Sequence, residues 1–380
     1  MEYKLISVDD HLFEGPDAYQ SRVPAKLRDQ APKIVETEGG YRAWVIEGQE
    51  GGKIGGLANV AGRKYEEFDP GPVKGGYEGL PASHYDPAER LKAMDQDGVD
   101  VEVLFPGLPS LGGGGFFGIK DPELRTALYR AYNDHVAEDW RGVNPERFVA
   151  QCCIPLYDIN ETVAEIKRSY DKGHRCVLFP TPPEAWGFQP LGDKHWDPMW
   201  ATIQELDIPV SIHIGSGPLP PISDLPLQAG VKGTGQAFIV KTISSNIASM
   251  ADFMFSGILE RFPRLKVVSV ESGIGWVPYF LEQCDDVYTR QRYWTKSDLR
   301  MLPSEYAARQ MYWNFWNEKA GLRLLDVIGE NNVMWESDFP HSICDWPNSR
   351  KVVDRITEGI QPAVRQKILA DNAAALYKLS

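Results

Sequence analysis

The sequence predicts an α/β fold, a (β/α)8 TIM-type barrel, and two patterns carry this prediction. Eight short apolar runs are separated by helix-like stretches, and strands that alternate with such helices form a parallel sheet. Polar residues of the kind that bind metals stand at the ends of several runs. A closed barrel brings the carboxyl ends of its strands to one mouth, where these residues would meet. A doubly wound open sheet, the competing fold, would scatter them.

The expected strands and helices follow one another along the whole chain. We expect strands at 6–11, 99–106, 148–156, 176–180, 209–215, 265–271, 311–316 and 333–338. Between them we expect helices at 86–97, 121–142, 160–172, 195–206, 237–262, 276–292 and 318–330. The last stretch, 361–379, has the apolar spacing of an amphipathic helix that packs against the barrel.

Two segments are longer than a barrel requires. Residues 14–85 follow strand 1 and residues 106–120 follow strand 2, and both are rich in glycine and proline. Long loops on this side of a barrel usually form lids or substrate walls. We therefore expect a single domain over 1–380 with a lid at about 14–85, and a flexible surface insertion is the alternative. None of the glycine clusters has the spacing of a phosphate-binding loop.

The composition argues against several kinds of partner. With 380 residues, 43% of them hydrophobic, the chain can bury a large core. A formal charge of -13 repels nucleic acid and anionic membranes, so we expect neither as a partner. The five cysteines are odd in number and lack Cys-x-x-Cys spacing, which favours reduced thiols and a cytoplasmic location. No stretch approaches the roughly 18 apolar residues that a membrane span needs.

Four residues at strand ends form a candidate metal site. Asp9 and His11 stand at i and i+2 on strand 1, so their side chains face the same side of the strand. His213 ends strand 5 and Asp338 ends strand 8. Two imidazoles and two carboxylates suit one divalent ion, with Zn²⁺ as the first expectation and Mn²⁺ or Fe²⁺ as alternatives. Each residue alone could instead be a hydrogen-bonded core or turn residue.

Further polar and aromatic residues extend this candidate site. Glu271 ends an otherwise apolar strand 6, where a carboxyl group must be paired or have a raised pKa, as a general acid or base requires. An ion pair with a neighbouring arginine is the alternative. His341 is placed to contact substrate, so the expected catalytic residues are Glu271, Asp338 and His341. Phe116 and Trp276 indicate a pocket for a hydrophobic or aromatic substrate.

Several motifs in a fixed order carry a resemblance to a known family. They are Asp-x-His at 9–11, the strand-5 histidine, Leu-Glu-Arg-Phe-Pro-Arg-Leu-Lys at 259–266, Ser-Asp-Phe-Pro-His at 337–341 and Ile-Leu-Ala-Asp-Asn-Ala-Ala-Ala-Leu-Tyr at 368–377. Together they resemble the amidohydrolase superfamily, in its branch related to aminocarboxymuconate-semialdehyde decarboxylase. The resemblance implies a distorted barrel, one catalytic divalent metal on His11, His213 and Asp338, and frequent homodimers. It also implies hydrolysis or non-oxidative decarboxylation of small, often aromatic or carboxylated, metabolites.

At several positions this chain differs from the family pattern, and these differences determine which reaction we expect. Many relatives have His-x-His on strand 1, whereas Phe13 takes the second position here, so Asp9 would complete the ligand set. Relatives that decarboxylate tend to carry a histidine at the position of Glu271 and an arginine near Gln283. A glutamate beside a metal-activated water suits proton transfer in hydrolysis. We therefore expect a metal-dependent hydrolase acting on a small hydrophobic or aromatic metabolite.

Other functions stay open on the same scaffold. A non-oxidative decarboxylase of a small aromatic or unsaturated acid is the first alternative. A non-haem iron oxygenase, with a second metal ligated by Glu271, is another. A metal-binding or ligand-binding protein without turnover is the non-enzymatic alternative. The expected partners are a small-molecule substrate and a second copy of the chain, as a homodimer.

Overall fold

The eight strands expected from the sequence form one parallel sheet that curls into a barrel, so the predicted fold class is confirmed. The structure, a computed structural model, describes residues 3–56, 60–69, 71–217 and 233–379. The circle closes where the backbone N–H of His11 donates to the carbonyl of Phe339 over 2.7 Å. The barrel strands are β1 (Ile6–His11), β5 (Val101–Phe105), β6 (Phe148–Cys153), β7 (Cys176–Leu178), β8 (Pro209–His213), β9 (Lys266–Val270), β10 (Met311–Phe315) and β11 (Val333–Trp335).

The insertion expected after β1 contains a small antiparallel sheet that the sequence analysis does not predict. Its strands are β2 (Lys33–Thr37), β3 (Tyr41–Ile46) and β4 (Gln49–Lys53). The turn between β3 and β4 uses Glu47 (φ 49°) and Gly48 (φ 74°), the left-handed pair that a tight hairpin requires. Trp44 of β3 packs edge-on against Tyr19, which attaches the sheet to the barrel. Closure of this insertion over a substrate stays a prediction.

Helices connect the barrel strands, and several begin at an aspartate that accepts the free N–H groups of the first turn. Asp86, Asp121 and Asp158 cap three of them, and proline follows the first two. The helices of the described residues are α1 (Pro87–Asp97), α2 (Pro122–His135), α3 (Ile159–Asp171), α4 (Asp197–Leu206), α5 (Thr234–Ile243), α6 (Ser245–Phe255), α7 (Ile258–Arg261), α8 (Val277–Thr295), α9 (Pro303–Gln310), α10 (Leu325–Ile328), α11 (Ser349–Ile356), α12 (Pro362–Gln366) and α13 (Asn372–Tyr377).

Two predicted helices differ in the structure. The helix expected at 237–262 is divided into α5, α6 and α7, and one break lies at Gly257, whose φ of 76° is left-handed. The helix expected at 318–330 is a short 3₁₀ turn followed by α10. Gly321 in this turn packs so closely that a Cβ atom there would lie 2.3 Å from Ile274. The sequence analysis does not predict α9 and α11, each of which is eight residues long.

Two further expectations concern the cysteines and the membrane. All five cysteines are free, and four of them are buried, as reduced thiols in a hydrophobic core should be. Among the helices that the structure describes, none combines the length and the apolar character needed to cross a bilayer.

His174 offers a test of the pH dependence of folding outside the candidate site. Its buried Nε2–H donates to the Asn133 carbonyl over 2.9 Å, and burial lowers the pKa of His174 to about 4. Folding therefore favours the neutral imidazole, and this contribution to stability is lost as the pH falls from about 6.5 to about 4. We expect a loss of about 3 kcal/mol over that window, measured by urea unfolding. His174→Gln does not titrate and should lose less; an equal loss would contradict the assignment.

Candidate metal centre

Four strands of the barrel bring the predicted ligands to one place at its mouth. Asp9 and His11 lie on β1, His213 ends β8, Glu271 directly follows β9 and Asp338 follows β11. All five side chains are buried. The structure thus assembles the residues that the sequence analysis selects, and their roles in binding metal and in catalysis stay predictions.

The carboxylate of Asp9 stands between the two imidazoles. Its Oδ1 lies 3.3 Å from Nε2 of His11 and its Oδ2 lies 3.3 Å from Nε2 of His213. Oδ1 of Asp338 lies 3.2 Å from the same His11 nitrogen, and Oε2 of Glu271 lies 3.5 Å from the His213 nitrogen. Ligands about 2.1 Å from an ion at tetrahedral angles lie about 3.4 Å apart. The distances therefore fit one divalent cation among these atoms.

Buried atoms without a hydrogen-bond partner mark the same place. They include both carboxylate oxygens of Asp9, Nε2 of His11, Nε2 of His213 and Oδ2 of Asp338. Buried polar atoms almost always have hydrogen-bond partners, so five buried atoms without one, on residues grouped at one place, indicate a common partner such as a metal ion. The Nδ1–H of His213 donates to the Ile214 carbonyl over 2.8 Å, which leaves the Nε2 lone pair facing the cluster, as in metal-bound histidines.

Two residues of this cluster have a strained backbone conformation. Glu271 and Asp338 both have a φ of 57°, in the left-handed region that residues other than glycine seldom adopt. The N–H of Glu271 donates to Oε2 of Glu336 over 3.2 Å, and the N–H of Asp338 donates to the Asp9 carbonyl over 2.8 Å. Such strain persists only where the surroundings enforce it, commonly at functional sites. Glu336 is a buried carboxyl group that the sequence analysis misses, although its position two residues before Asp338 is a usable signal.

The carboxyl groups of the cluster differ in the direction in which their pKa values are shifted. Burial alone would raise the pKa of Asp9, but the adjacent His213 and His11 hold it well below its usual value. Burial raises the pKa of Glu271 well above its usual value, and the negative charges of Asp338 and Asp9 add to this shift. Burial also raises the pKa of Asp338 to about 6. Asp9 thus carries the negative charge that a cation needs, while burial and the neighbouring carboxylates disfavour the charged form of Glu271.

His341 connects the cluster to a cavity above it. Its Nδ1 lies 2.8 Å from Oδ1 of Asp338, and its ring lies 3.8 Å from the ring of His11. The cavity has a volume of about 350 Å³. Its walls come from the insertions after β1 and β5 and are mainly apolar. Lining residues include His11, Leu12, Phe13, Glu14, Trp44, Lys53, Ile54, Leu108, Leu111 and His341.

The two aromatic residues expected to contact substrate lie elsewhere. Phe116 is fully buried against Tyr19 and does not line the cavity, and its role in substrate binding stays a prediction. Trp276 is half-buried beside Trp313, and its indole N–H donates to the Ser272 carbonyl over 3.0 Å. A role for Trp276 in substrate binding stays a prediction. Trp44 lines the cavity instead, and the sequence analysis misses it because its strand falls in the insertion.

A buried ion pair holds the end of β1 that carries His11. Nε of Arg90 lies 2.9 Å from Oε2 of Glu102, and a terminal N–H of Arg90 donates to the His11 carbonyl. We expect Arg90→Met to lower the free energy of unfolding by about 3 to 5 kcal/mol, because it leaves the Glu102 carboxyl group buried and unpaired. Urea unfolding measures this effect, and Arg90→Met/Glu102→Leu should recover much of it. A single variant as stable as the wild type would contradict the expectation.

The fold and this centre define a (β/α)8-barrel enzyme with a candidate site for a divalent metal. The family model described as Amidohydrolase matches residues 80–379, which is most of the chain. The chain belongs to the amidohydrolase family, and the predicted family is confirmed.

Known proteins similar to this chain include several decarboxylases. The gamma-resorcylate decarboxylase of Rhizobium sp. (strain MTP-10005) is 27% identical over 319 residues, which cover 76% of this chain and 86% of that protein. The 5-carboxyvanillate decarboxylase structure from Sphingomonas paucimobilis has a TM-score of 0.68 at 21% identity and covers 100% of both chains. A dihydroxybenzoic acid decarboxylase structure from Polaromonas sp. JS666, with bound manganese and 2-nitroresorcinol, has a TM-score of 0.63 at 18% identity, covering 99% and 97%. At these identities the two structures show the fold alone.

The expectation of hydrolysis is wrong, because several of the similar proteins are named as decarboxylases. Both residues on which it rested have another explanation in the structure. Burial raises the pKa of Glu271 well above its usual value, which disfavours the charged form that a general base needs. Gln283 lies on the exposed face of α8, so an amide there takes no cation away from the residues that line the cavity. The finer expectation of zinc stays a prediction.

Proposed function

We propose that the chain is a metal-dependent, non-oxidative decarboxylase of a small aromatic or unsaturated carboxylic acid. The observation that carries the proposal is the cluster of orphaned ligand atoms at the floor of a mainly apolar cavity of about 350 Å³. The decarboxylases among the similar proteins support it. All five cysteines are free thiols, which supports a cytoplasmic location as part of the proposal.

In this reaction the bond from the carboxyl carbon to its neighbour breaks, its electron pair stays on the neighbouring carbon, and that carbon takes a proton as carbon dioxide leaves. Asp9, His11, His213 and Asp338 would hold a divalent ion, which would supply positive charge to the oxygens of the substrate. We favour manganese, because the Polaromonas decarboxylase structure contains it and because carboxylate ligands suit it. Zinc and iron are the alternatives.

The cavity walls contribute by excluding water from the reacting group. Phe13, Trp44 and Leu108 present apolar surface to a planar substrate. A carboxylate loses more hydration free energy on entering such a cavity than neutral carbon dioxide does. The walls therefore favour loss of the carboxylate charge.

The proton comes from the pair formed by Asp338 and His341. The two side chains share a hydrogen bond of 2.8 Å, and His341 faces the cavity. Because Asp338 accepts the Nδ1–H of His341, it orients this imidazole toward the cavity, from which the pair can deliver a proton to the substrate carbon. Oε2 of Glu271 lies 3.5 Å from Nε2 of His213, beside the place proposed for the metal.

The test is carbon dioxide release from a panel of small aromatic acids that includes gamma-resorcylate. The enzyme is stripped with a chelator and reloaded with manganese, zinc or iron before assay under argon. We expect release from at least one hydroxylated aromatic acid in a metal-loaded sample and none in the stripped sample. Turnover that requires oxygen would replace the proposal with the oxygenase alternative, and release that does not depend on metal would overturn it.

A further inference from the structure

A buried carboxyl group that the proposed reaction does not use stands in the cavity wall. Glu14 lines the cavity and is almost fully buried. Its Oε1 accepts the backbone N–H groups of Gly107 and Leu108 over 3.1 Å and 3.0 Å. Its Oε2 accepts only a share of the Leu108 N–H, over 3.0 Å. Both acceptor positions of Oε1 are therefore in use, whereas Oε2 keeps one free.

The surrounding residues fix the position of the Glu14 side chain. A Cβ atom at Gly107 would lie 2.8 Å from Oε2 of Glu14, so the loop after β5 approaches this closely only with glycine there. The hydroxyl of Tyr77 donates to the Glu14 carbonyl, and its ring packs edge-on against Phe13. Phe13 and Leu108 line the cavity beside Glu14. The free acceptor of Oε2 thus has a defined place in the cavity wall.

Two tyrosines bring unused hydroxyl groups close to this carboxyl group. Tyr19 and Tyr132 are fully buried, and neither hydroxyl has a hydrogen-bond partner among the described residues. Burial raises the pKa of Tyr19 well above its usual value, and a charge on Glu14 adds to the shift. Burial does the same for the pKa of Tyr132, to which Cys153 and then Glu14 add. Buried hydroxyl groups almost always have partners, so these two indicate a ligand atom beside Glu14.

We propose that Glu14, Tyr19 and Tyr132 form a recess that binds a hydroxyl group of the substrate. Oε2 of Glu14 accepts its hydrogen, and a tyrosine hydroxyl donates to its oxygen. Of the three residues, Glu14 lines the cavity, so a group that enters from the cavity meets Glu14 first. A hydroxyl fits because it donates and accepts at one atom, whereas an ammonium group cannot accept and an ether cannot donate.

This inference rests on the proposed function and narrows its substrate class to hydroxylated acids. The metal cluster lies at the floor of the cavity and Glu14 lies in its wall. The substrate would therefore be held at two places, by its carboxylate near the metal and by a ring hydroxyl at the recess. An ordered water molecule has the same hydrogen-bonding chemistry and is the competing occupant.

Glu14→Gln changes the polarity of this position and keeps its shape. The N–H groups of Gly107 and Leu108 both need an acceptor, so the amide oxygen takes the place of Oε1. The amide NH₂ then takes the place of Oε2, where it donates and cannot accept. A ligand hydroxyl loses its acceptor, whereas a ligand without a donor loses nothing. A general loosening of the wall would affect both ligands alike.

Binding of nitrophenols tests the inference without turnover, because a nitro group resembles a carboxylate and cannot leave as carbon dioxide. The probes are ortho-nitrophenol derivatives with one further ring hydroxyl and the matching fluoro derivatives, which are similar in size but have no donor. Calorimetry uses the manganese-loaded enzyme at about pH 8, above the pKa of about 7 that burial gives Glu14. At least one hydroxyl derivative should bind about tenfold or more tightly than its fluoro counterpart. Glu14→Gln should abolish this preference.

Matched variants separate recognition from packing. Glu318 is a half-buried carboxyl group that also accepts backbone N–H groups but does not line the cavity, so Glu318→Gln should keep the preference. The double variant Tyr19→Phe/Tyr132→Phe should lower the preference by about threefold or more. Tyr288→Phe, at a buried tyrosine on α8, should leave it unchanged. Circular dichroism checks that each variant is folded, and the wild-type comparison needs no variant.

Three results would overturn the inference. One is equal binding of the hydroxyl and fluoro derivatives by the wild type. Another is a preference that survives Glu14→Gln. The last is a crystal structure of the hydroxyl complex with a water molecule between Glu14 and the tyrosines, which would assign the recess to water. The proposed function fails separately: a hydroxyl preference without decarboxylation of any acid leaves the recess standing, and decarboxylation without the preference removes only the recess.

Discussion

Replacement of His213 by alanine is expected to remove the bound metal and to lower the decarboxylation rate by about 10³-fold or more. Nε2 of His213 is buried without a partner, and it faces Asp9 and Glu271 at 3.3 Å and 3.5 Å. Removing it leaves the ion with one imidazole fewer. The fold should survive, because the side chain makes one hydrogen bond, to the Ile214 carbonyl. Metal content per chain and initial rate are the two measurements.

His195→Ala is the matched control for this variant. His195 is an exposed histidine in a 3₁₀ turn before α4, outside the cluster. It should retain both the metal and the rate. A His213→Ala protein that binds a full equivalent of metal would contradict the ligand assignment.

Replacement of Asp338 by asparagine is expected to lower kcat by about 10² to 10⁴-fold, measured at saturating manganese. Asparagine preserves the shape of the side chain but cannot hold the proton shared with His341 at 2.8 Å. It also removes a negative charge 3.2 Å from Nε2 of His11, so the manganese affinity should fall as well. Saturating metal separates these two effects.

Asp298→Asn, at an exposed aspartate after α8, is the control for the Asp338 variant. It should keep the wild-type kcat and manganese affinity. If Asp338→Asn showed a wild-type kcat once saturated with manganese, Asp338 would be a ligand without a part in proton transfer.

The sequence predicts the barrel and the cluster because both depend on local signals that recur at regular intervals. Each barrel strand is a short apolar run, and parallel strands must end at the same mouth. Asp9 and His11 share a face of β1 by the two-residue repeat of a strand, and the structure places them with His213 and Asp338. Predicting that these four residues lie together therefore requires no knowledge of which residues are in contact.

The sequence does not predict the cavity wall or the electrostatics. The sheet of the insertion lies in a segment rich in glycine, so its alternation is weak, and Trp44 is missed as a result. Phe116 has the composition of a substrate contact, yet its position behind Tyr19 depends on tertiary packing. Glu271 suggests a general base, but burial beside Asp338 and Asp9 raises its pKa well above the usual value. Long-range packing decides all three.

The most direct test of the account is decarboxylation in D₂O under argon, followed by NMR of the product and by carbon dioxide detection. The manganese-loaded enzyme should release one carbon dioxide per substrate consumed and place one deuterium on the carbon that carried the carboxyl group. Removal of the metal should stop both. A product formed without carbon dioxide, or formed only when oxygen is admitted, would contradict a metal-dependent carboxy-lyase at this centre.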